Sequence, residues 1–406
     1  MNRVSEQGTL TITRGEGAYV FDAAGRRYLD ATAGLWYCNV GHGRVEIAQA
    51  AATQMSKLAA YSAFGDLTNS PAEELARKLG ALAPFKDAAV FFTSGGSDGI
   101  DTALKIIHRY WAAVGQPERR SVISREASYH GMHTAGTALA GIEANRAHYD
   151  DLLADVVRVT WDNADDLAKT IEAIGTGHVA AFFCEPVIGA GGVFYPPPGY
   201  LAQVQRTCRD TGVLLVADEV ITGYGRAGHW FASQRYGLQP DLVISAKGLT
   251  SGYLPMGAVL ASPRVAGPFY DGTVGMWRHG YTYSGHATAA AAALANLEIL
   301  ERENLVQRAG ELAGALAATL NPLAAHPLVS EVRTGESLLA AVQIDPAAVS
   351  TDPGLPDRVV RGMRQAGVLS RVLASDAIQV SPPFVITAHQ LDELAEGIQA
   401  GLDSVA

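Results

Sequence analysis

From about residue 44 the chain alternates short, continuous apolar runs with longer segments of helical period. The runs are AAVFFT (88–93), SVIS (121–124), VAAFFCE (179–185), VLLVADE (213–219), DLVISA (241–246) and GAVLAS (257–262). Apolar and polar positions do not alternate within them. That is the pattern of strands buried on both faces of a mostly parallel sheet. Helical periodicity predicts covering helices at 71–83, with Ser70 as cap and Pro71 at the first position, and at 199–211, 286–303 and 304–320. Ahead of this region, GAYVFDAAGRRYLDA (17–31) alternates and turns at Ala24-Gly25, which predicts a β-hairpin. After about 325, SLLAAVQI (337–344) and AIQV (377–380) read as strands, and 356–366 and 388–403 as helices. The expected architecture is α/β: a large unit over 45–300, and a smaller α+β unit made from 1–44 and 301–406.

Composition narrows the picture. A chain of 406 residues, 48% hydrophobic and 18% charged, can bury a sizeable core and is not disordered. A net charge of -10 with no basic stretch to offset it argues against a nucleic-acid binder. Cys38, Cys184 and Cys208 are far apart and form no CxxC pair, which suits a reducing cytoplasm. The opening MNRVSEQGTLTITRGEG has no apolar stretch of the kind a secretory signal needs, and the Ala-rich segment near 287–295 is too short to cross a membrane.

Ligands of open α/β sheets bind at the carboxyl ends of strands, and four such ends carry unusual residues. FFTSGGSDGIDTALK (91–105) is a strand, a Gly-Ser turn and a helix. Its turn, with Gly96 and Ser97, suits a phosphate at a helix N-terminus, or is simply a tight turn. It is neither a Walker loop nor a GxGxxG fingerprint. Asp218 and Glu219 close another run. A carboxylate there can pair with a cationic ring nitrogen, hold a metal or cap a helix. No cluster of metal ligands lies at suitable spacing nearby. Lys247 ends a third run, 29 residues after Asp218 (247 − 218 = 29). Desolvation disfavours an ammonium, so such an amine can become a nucleophile that forms a Schiff base; otherwise it snorkels to the surface. Tyr129 and His130 follow the fourth run, where an aromatic can stack on a flat cofactor or pack in the core.

An anion cradle, a carboxylate, a stacking aromatic and a buried amine together match the needs of pyridoxal 5′-phosphate. The chain also resembles the class III pyridoxal-phosphate aminotransferases, the group that includes ω-amino acid and amine:pyruvate transaminases. The resemblance runs from GEGAYVFDAAGRRYLDATAGLWYCNVGHG (15–43) through EPVIGAGGV (185–193), ADEVITGYGRAGHWFA (217–232) and SAKGLTSGYLPMGAV (245–259). It continues through HGYTYSGHATAAAAALANL (279–297) to VSPPFVIT (380–387).

The resemblance implies fold type I, with a seven-stranded sheet, and a homodimer or higher oligomer with shared sites. It implies small amine and 2-oxo acid substrates, with no nucleic-acid or membrane partner. By resemblance, Lys247 is the Schiff-base lysine and proton carrier, and Asp218 the partner of the pyridine nitrogen. Val220 packs on the ring face opposite Tyr129. Gly96 and Ser97 cradle the phosphate, with His130 among the cofactor-contacting residues, and Thr282 reaches the phosphate of the neighbouring subunit. Glu185 is a buried carboxylate that orders the site. Trp36, Tyr129 and Ala190 line the substrate pocket, and Arg371 is a mobile arginine for substrate carboxylates. His286 is read as structural.

Three departures from the family pattern carry expectations. Asp98 stands in place of a glutamate, and the shorter acid leaves a hydrogen bond unmade or filled by water. Ile188 and Ile221 replace glutamines, and Ile221 points towards the amine:pyruvate branch. Ala190 replaces a glutamate that ties back the substrate arginine. A decarboxylase, racemase or aminomutase would share the cofactor apparatus. A dinucleotide oxidoreductase is disfavoured by the missing GxGxxG.

Overall fold

The computed structural model describes residues 9–149 and 152–406. The N-terminal segment read above as lacking a signal lies partly outside this range. Three strands open the described chain: β1 (Ile12–Glu16), β2 (Tyr19–Asp22) and β3 (Arg27–Asp30). The expected hairpin is β2–β3, and β1 extends it to three strands.

The large sheet has seven strands. They are β4 (Ala89–Thr93), β5 (Ser121–Arg125), β6 (Val156–Val159), β7 (Val179–Cys184), β8 (Leu214–Asp218), β9 (Leu242–Ser245) and β10 (Gly257–Ala261). Their spatial order is β4-β10-β9-β8-β7-β5-β6. Only β10 is antiparallel to its neighbours, so the other six run the same way. Every residue of β7 to β10 is buried, which is why those runs show no alternation. β6 was not anticipated. It pairs on one side only, is mostly half-buried and carries Arg158, so its sequence lacks a buried strand's signature.

The first covering helix is Ser70–Leu82, and its cap is Asn69, not Ser70. The Asn69 Oδ1 accepts from Ala72 N at 3.0 Å, leaving Ser70 as the first helical residue. Helices Tyr200–Thr211, Ala287–Arg302 and Leu305–Leu320 fall where periodicity placed them.

The C-terminal region adds β11 (Val329–Arg333), β12 (Ala340–Ile344), β13 (Val368–Leu369) and β14 (Ala377–Val380). Strands β11, β12 and β14 form their own sheet, while β13 joins the N-terminal one, Val368 pairing with Leu29. Both ends of the chain are tied to the centre through Arg226, which is fully buried. Its guanidinium donates to Pro382 O (2.6 Å), Leu338 O (3.3 Å) and Asn39 Oδ1 (2.9 Å) and lies over the Phe384 ring. Among the described residues no helix is long and apolar enough to cross a membrane. The three cysteines are buried and unpaired.

Candidate active site

Six strands pointing one way bring their C-terminal ends to one edge of the sheet. Residues following five of them, β4, β5, β7, β8 and β9, line a cavity of about 570 Å³. The N- and C-terminal segments close it with Trp36 and Arg371.

Beyond β4 the helix Gly96–Ala113 begins at the cavity wall, so its unpaired N–H groups open onto it. Glycine is required at 96, because a Cβ there would come within 2.9 Å of Val220 Cγ2. At Gly95 the same atom would enter open space. Asp98 does not leave the expected gap. Its Oδ2 accepts from Ser94 N at 3.0 Å and its Oδ1 lies 3.2 Å from His133 Nδ1, so the shorter acid still closes the turn.

Beyond β8, two adjacent acids part ways. Asp218 faces the cavity, accepting from Val220 N at 3.1 Å on Oδ1 and lying 2.8 Å from His130 Nδ1 on Oδ2. Its remaining lone pairs leave room for a further donor. Glu219 turns away and accepts from Ala232 N (2.9 Å), Ser233 N (2.6 Å) and Thr222 Oγ1 (2.5 Å). It serves the start of the short helix Ala232–Arg235, and burial raises its pKa.

Lys247 follows β9 with φ of +43°, a left-handed conformation that costs a non-glycine residue about 1–3 kcal/mol. The turn is held from behind by buried Asn296, whose Nδ2 donates to Gly248 O and Leu249 O at 2.9 Å each. The Lys247 Nζ stands 5.1 Å from the centroid of the Trp36 indole. Desolvation lowers its pKa from 10.5 to about 8, against the pull of Asp218 and Glu185 and with the push of Arg371. Behind it, Glu185 accepts from Tyr129 N (2.9 Å) and Gly189 N (3.0 Å), pinning both the aromatic and the loop that carries Ala190. Burial raises the Glu185 pKa.

At the other end, the Arg371 guanidinium lies 4.4 Å from the Trp36 ring centroid, and its Nε donates to Gln379 Oε1 at 2.7 Å. Burial lowers its pKa. The cavity thus gathers Trp36, Gly96, Ser97, Tyr129, His130, Glu185, Ala190, Asp218, Val220, Lys247 and Arg371. Ile221 also lines it, whereas Ile188 pairs with Phe194 outside it. Thr282 is exposed and does not line its own chain's cavity. His286 caps the helix Ala287–Arg302. Sequence reasoning missed Leu35, Tyr37, Ile142, Asn145 and Leu254, which reach the cavity from loops or from four-residue helical turns too short to show a period. It also missed Gln379, whose only sequence signal is one amide in an apolar strand.

These residues fit pyridoxal 5′-phosphate: helix N–H groups and open space at Gly95 for the phosphate, a carboxylate for the ring nitrogen, and an amine of lowered pKa for the aldehyde. Comparison with known proteins agrees. The chain matches the aminotransferase class-III family over residues 1–402. It is 39% identical to the putrescine–pyruvate aminotransferase of Pseudomonas aeruginosa, over 100% of this chain and 92% of that protein. The beta-alanine–pyruvate aminotransferase of the same species is 35% identical, over 100% of this chain and 94% of its own. A PLP-bound amine transaminase from an uncultivated Pseudomonas species superposes with a TM-score of 0.94 at 37% identity, covering 99% of this chain and 96% of that one. The omega transaminase of Pseudomonas jessenii in complex with PMP gives a TM-score of 0.95 at 35% identity, covering 100% and 94%. All four are transaminases, which favours that reading over a decarboxylase, racemase or aminomutase. The chain belongs to the class III aminotransferases, the pyridoxal-phosphate-dependent transaminases of fold type I.

Proposed function

We propose that this enzyme moves an amino group from an amine or ω-amino acid to pyruvate. The observation that carries the reading is the pair of cations on one indole: Lys247 and Arg371 both lie against Trp36. Around them the lining includes Leu35, Ala190, Ile221 and Leu254. One guanidinium matches the single carboxylate of pyruvate. A second carboxylate, as in 2-oxoglutarate, would meet apolar surface and stay poorly paired. A donor with no carboxylate near its amine needs only the apolar wall.

Bound pyridoxal phosphate supplies the electron sink. The helix N-terminus with Gly96 and Ser97 would hold its phosphate, and Tyr129 and Val220 would flank its ring. Asp218, oriented by His130, would keep the ring nitrogen protonated, while Glu185 fixes Tyr129. Lys247 Nζ, the amine of lowered pKa at the cavity wall, would be the point of attachment for the aldehyde and the base within reach of the donor's amine-bearing carbon. Arg371 takes the acceptor's carboxylate. Its loop backbone is pinned by Ala374 N to Ala190 O (3.2 Å) and Gln343 Nε2 to Ser375 O (2.6 Å). Any movement is therefore a swing of the side chain, and Ala190 offers no acid to hold it aside.

In the same reading 45–300 form the cofactor-binding domain, with 1–44 and 301–406 the small one. The active unit is at least a homodimer in the cytoplasm. Thr282 and Tyr283 are exposed, and so are Tyr61 and Phe64, the latter beside Gly280. A second subunit would cover them and receive Thr282 at its phosphate. Sedimentation of the holoenzyme tests this, and a fully active monomer overturns it. Substrate choice is tested with diamines, ω-amino acids and arylalkylamines, each against pyruvate and 2-oxoglutarate. Alanine formation should dominate, and a preference for 2-oxoglutarate would refute the acceptor assignment.

A further inference from the structure

Gln379 sits in β14 with no exposed surface, one amide among Ala377, Ile378 and Val380. Its two ends do different things. Arginine has only donors, so the atom facing Arg371 must be the carbonyl oxygen, and the amide orientation is set by chemistry. That Oε1 accepts from Arg371 Nε at 2.7 Å. The Nε2 donates to Ser381 Oγ at 2.7 Å, and Ser381 Oγ in turn donates to Thr32 O at 3.4 Å. The same Thr32 carbonyl accepts from Trp36 N at 2.9 Å. The side chains that grip the guanidinium from its edge and from its face thus share one backbone anchor.

We propose that Gln379 is the positioning residue that orients Arg371 for substrate carboxylates. Two constraints define a plane: the stack on Trp36 sets its tilt, and the bond at Nε sets its rotation. Among the described residues Nη1 and Nη2 make no hydrogen bond, so the terminal edge of the fork, the edge that grips a carboxylate with two bonds, is left for a ligand. The neutrality of the anchor matters as much as its geometry. A carboxylate at this position would hold the arginine more tightly but would cancel the charge that the substrate needs. An amide orients without neutralising. The arrangement thereby makes carboxylate recognition depend on a residue that does not line the cavity.

The inference rests on Arg371 being the carboxylate ligand, so the test separates the two. Gln379→Met keeps the length and removes both the acceptor for Arg371 and the donor to Ser381; Gln379→Glu keeps the shape and adds charge. Each is made alone and with Arg371→Ala. One readout is the dissociation constant of propanoate, an unreactive carboxylate, measured on the holoenzyme by ligand-detected NMR. The other is the single-turnover rate with pyruvate and, separately, with 1-phenylethylamine. Losing the oriented hydrogen bond to Arg371 predicts about five- to tenfold weaker propanoate binding and a similar loss with pyruvate in Gln379→Met. The amine half-reaction should stay within about twofold, and Arg371→Ala should abolish any further effect of the Met substitution. Gln379→Glu should weaken propanoate more than Met does. If Arg371→Ala weakens propanoate and neither Gln379 variant does, the positioning role is wrong and the Arg371 assignment stands. If Arg371→Ala leaves propanoate binding unchanged, both fall. Equal losses in the two half-reactions for both Gln379 variants would mark ordinary packing and also overturn the proposal.

Discussion

The two ends of the cavity are built on different plans. At the cofactor end, each functional side chain ends a strand of one sheet and is over-determined. Asp218 is engaged on both oxygens, Glu185 takes two backbone N–H groups, and the Lys247 turn rests on two bonds from Asn296. At the substrate end, Trp36 and Arg371 come from segments more than 300 residues apart, and Arg371 is held by one hydrogen bond and one stack. The first plan suits a group that stays put through both half-reactions. The second suits a site that must accept a carboxylate in one half-reaction and do without it in the other.

The largest test strikes the rigid end. If Lys247 is the point of attachment and proton carrier proposed above, Lys247→Ala should cost roughly four or more orders of magnitude in turnover. Borohydride reduction of the wild-type holoenzyme followed by peptide mapping should find the pyridoxyl group on Lys247, and its recovery on another lysine would refute the assignment. Next comes pH. With the cofactor removed, a pKa near 8 in place of 10.5 leaves about 300-fold more neutral amine at pH 7 than an ordinary lysine has. Because only the neutral amine attacks an aldehyde, reattachment of pyridoxal phosphate should speed up about tenfold from pH 6 to 7. It should then level off above about 8. A midpoint near 10 would mean that burial does not depress this amine.

At the adjustable end effects should be smaller and selective. Arg371→Ala should raise the pyruvate KM about tenfold and change the half-reaction with an uncharged amine far less. Equal losses would erase the distinction between the two ends. The smallest effect lies outside both. Thr387 and Gln390 form a reciprocal cap on the helix Ala388–Asp403, none of which lines the cavity. Thr387→Ala should cost about 1 kcal/mol, seen as a slightly lower Tm, with both half-reactions unaltered.

The same divide decides what could be read from the sequence. Lys247, Asp218 and the Gly-Ser turn were legible because each interrupts a continuous apolar run, and a charge or a glycine pair at the end of such a run has few structural uses. Without the family resemblance, which singles out Asp218, Glu219 was not separable from it, since both close the same apolar run and only the backbone direction tells which faces the cavity. The choice between Asn69 and Ser70 as cap was equally hidden, because both residues cap well and only the fold shows which oxygen reaches Ala72. Gln379 was invisible for another reason. Its partner lies eight residues upstream across a turn, and its purpose exists only once Trp36, from the other end of the chain, has arrived.

The pairing of the two ends of the chain also sets a schedule for the protein's synthesis. Leu29 pairs with Val368, 339 residues further on (368 − 29 = 339). At about 5–20 residues per second the ribosome needs roughly 17–70 s to deliver the partner strand. Throughout that interval Tyr28 and Leu29, both buried in the finished molecule, lack the strand that completes their sheet. The nascent chain therefore passes through a stage in which the central sheet can form while an open strand edge waits beside it. Aggregation during synthesis should be governed by β3, far from any residue that handles substrate.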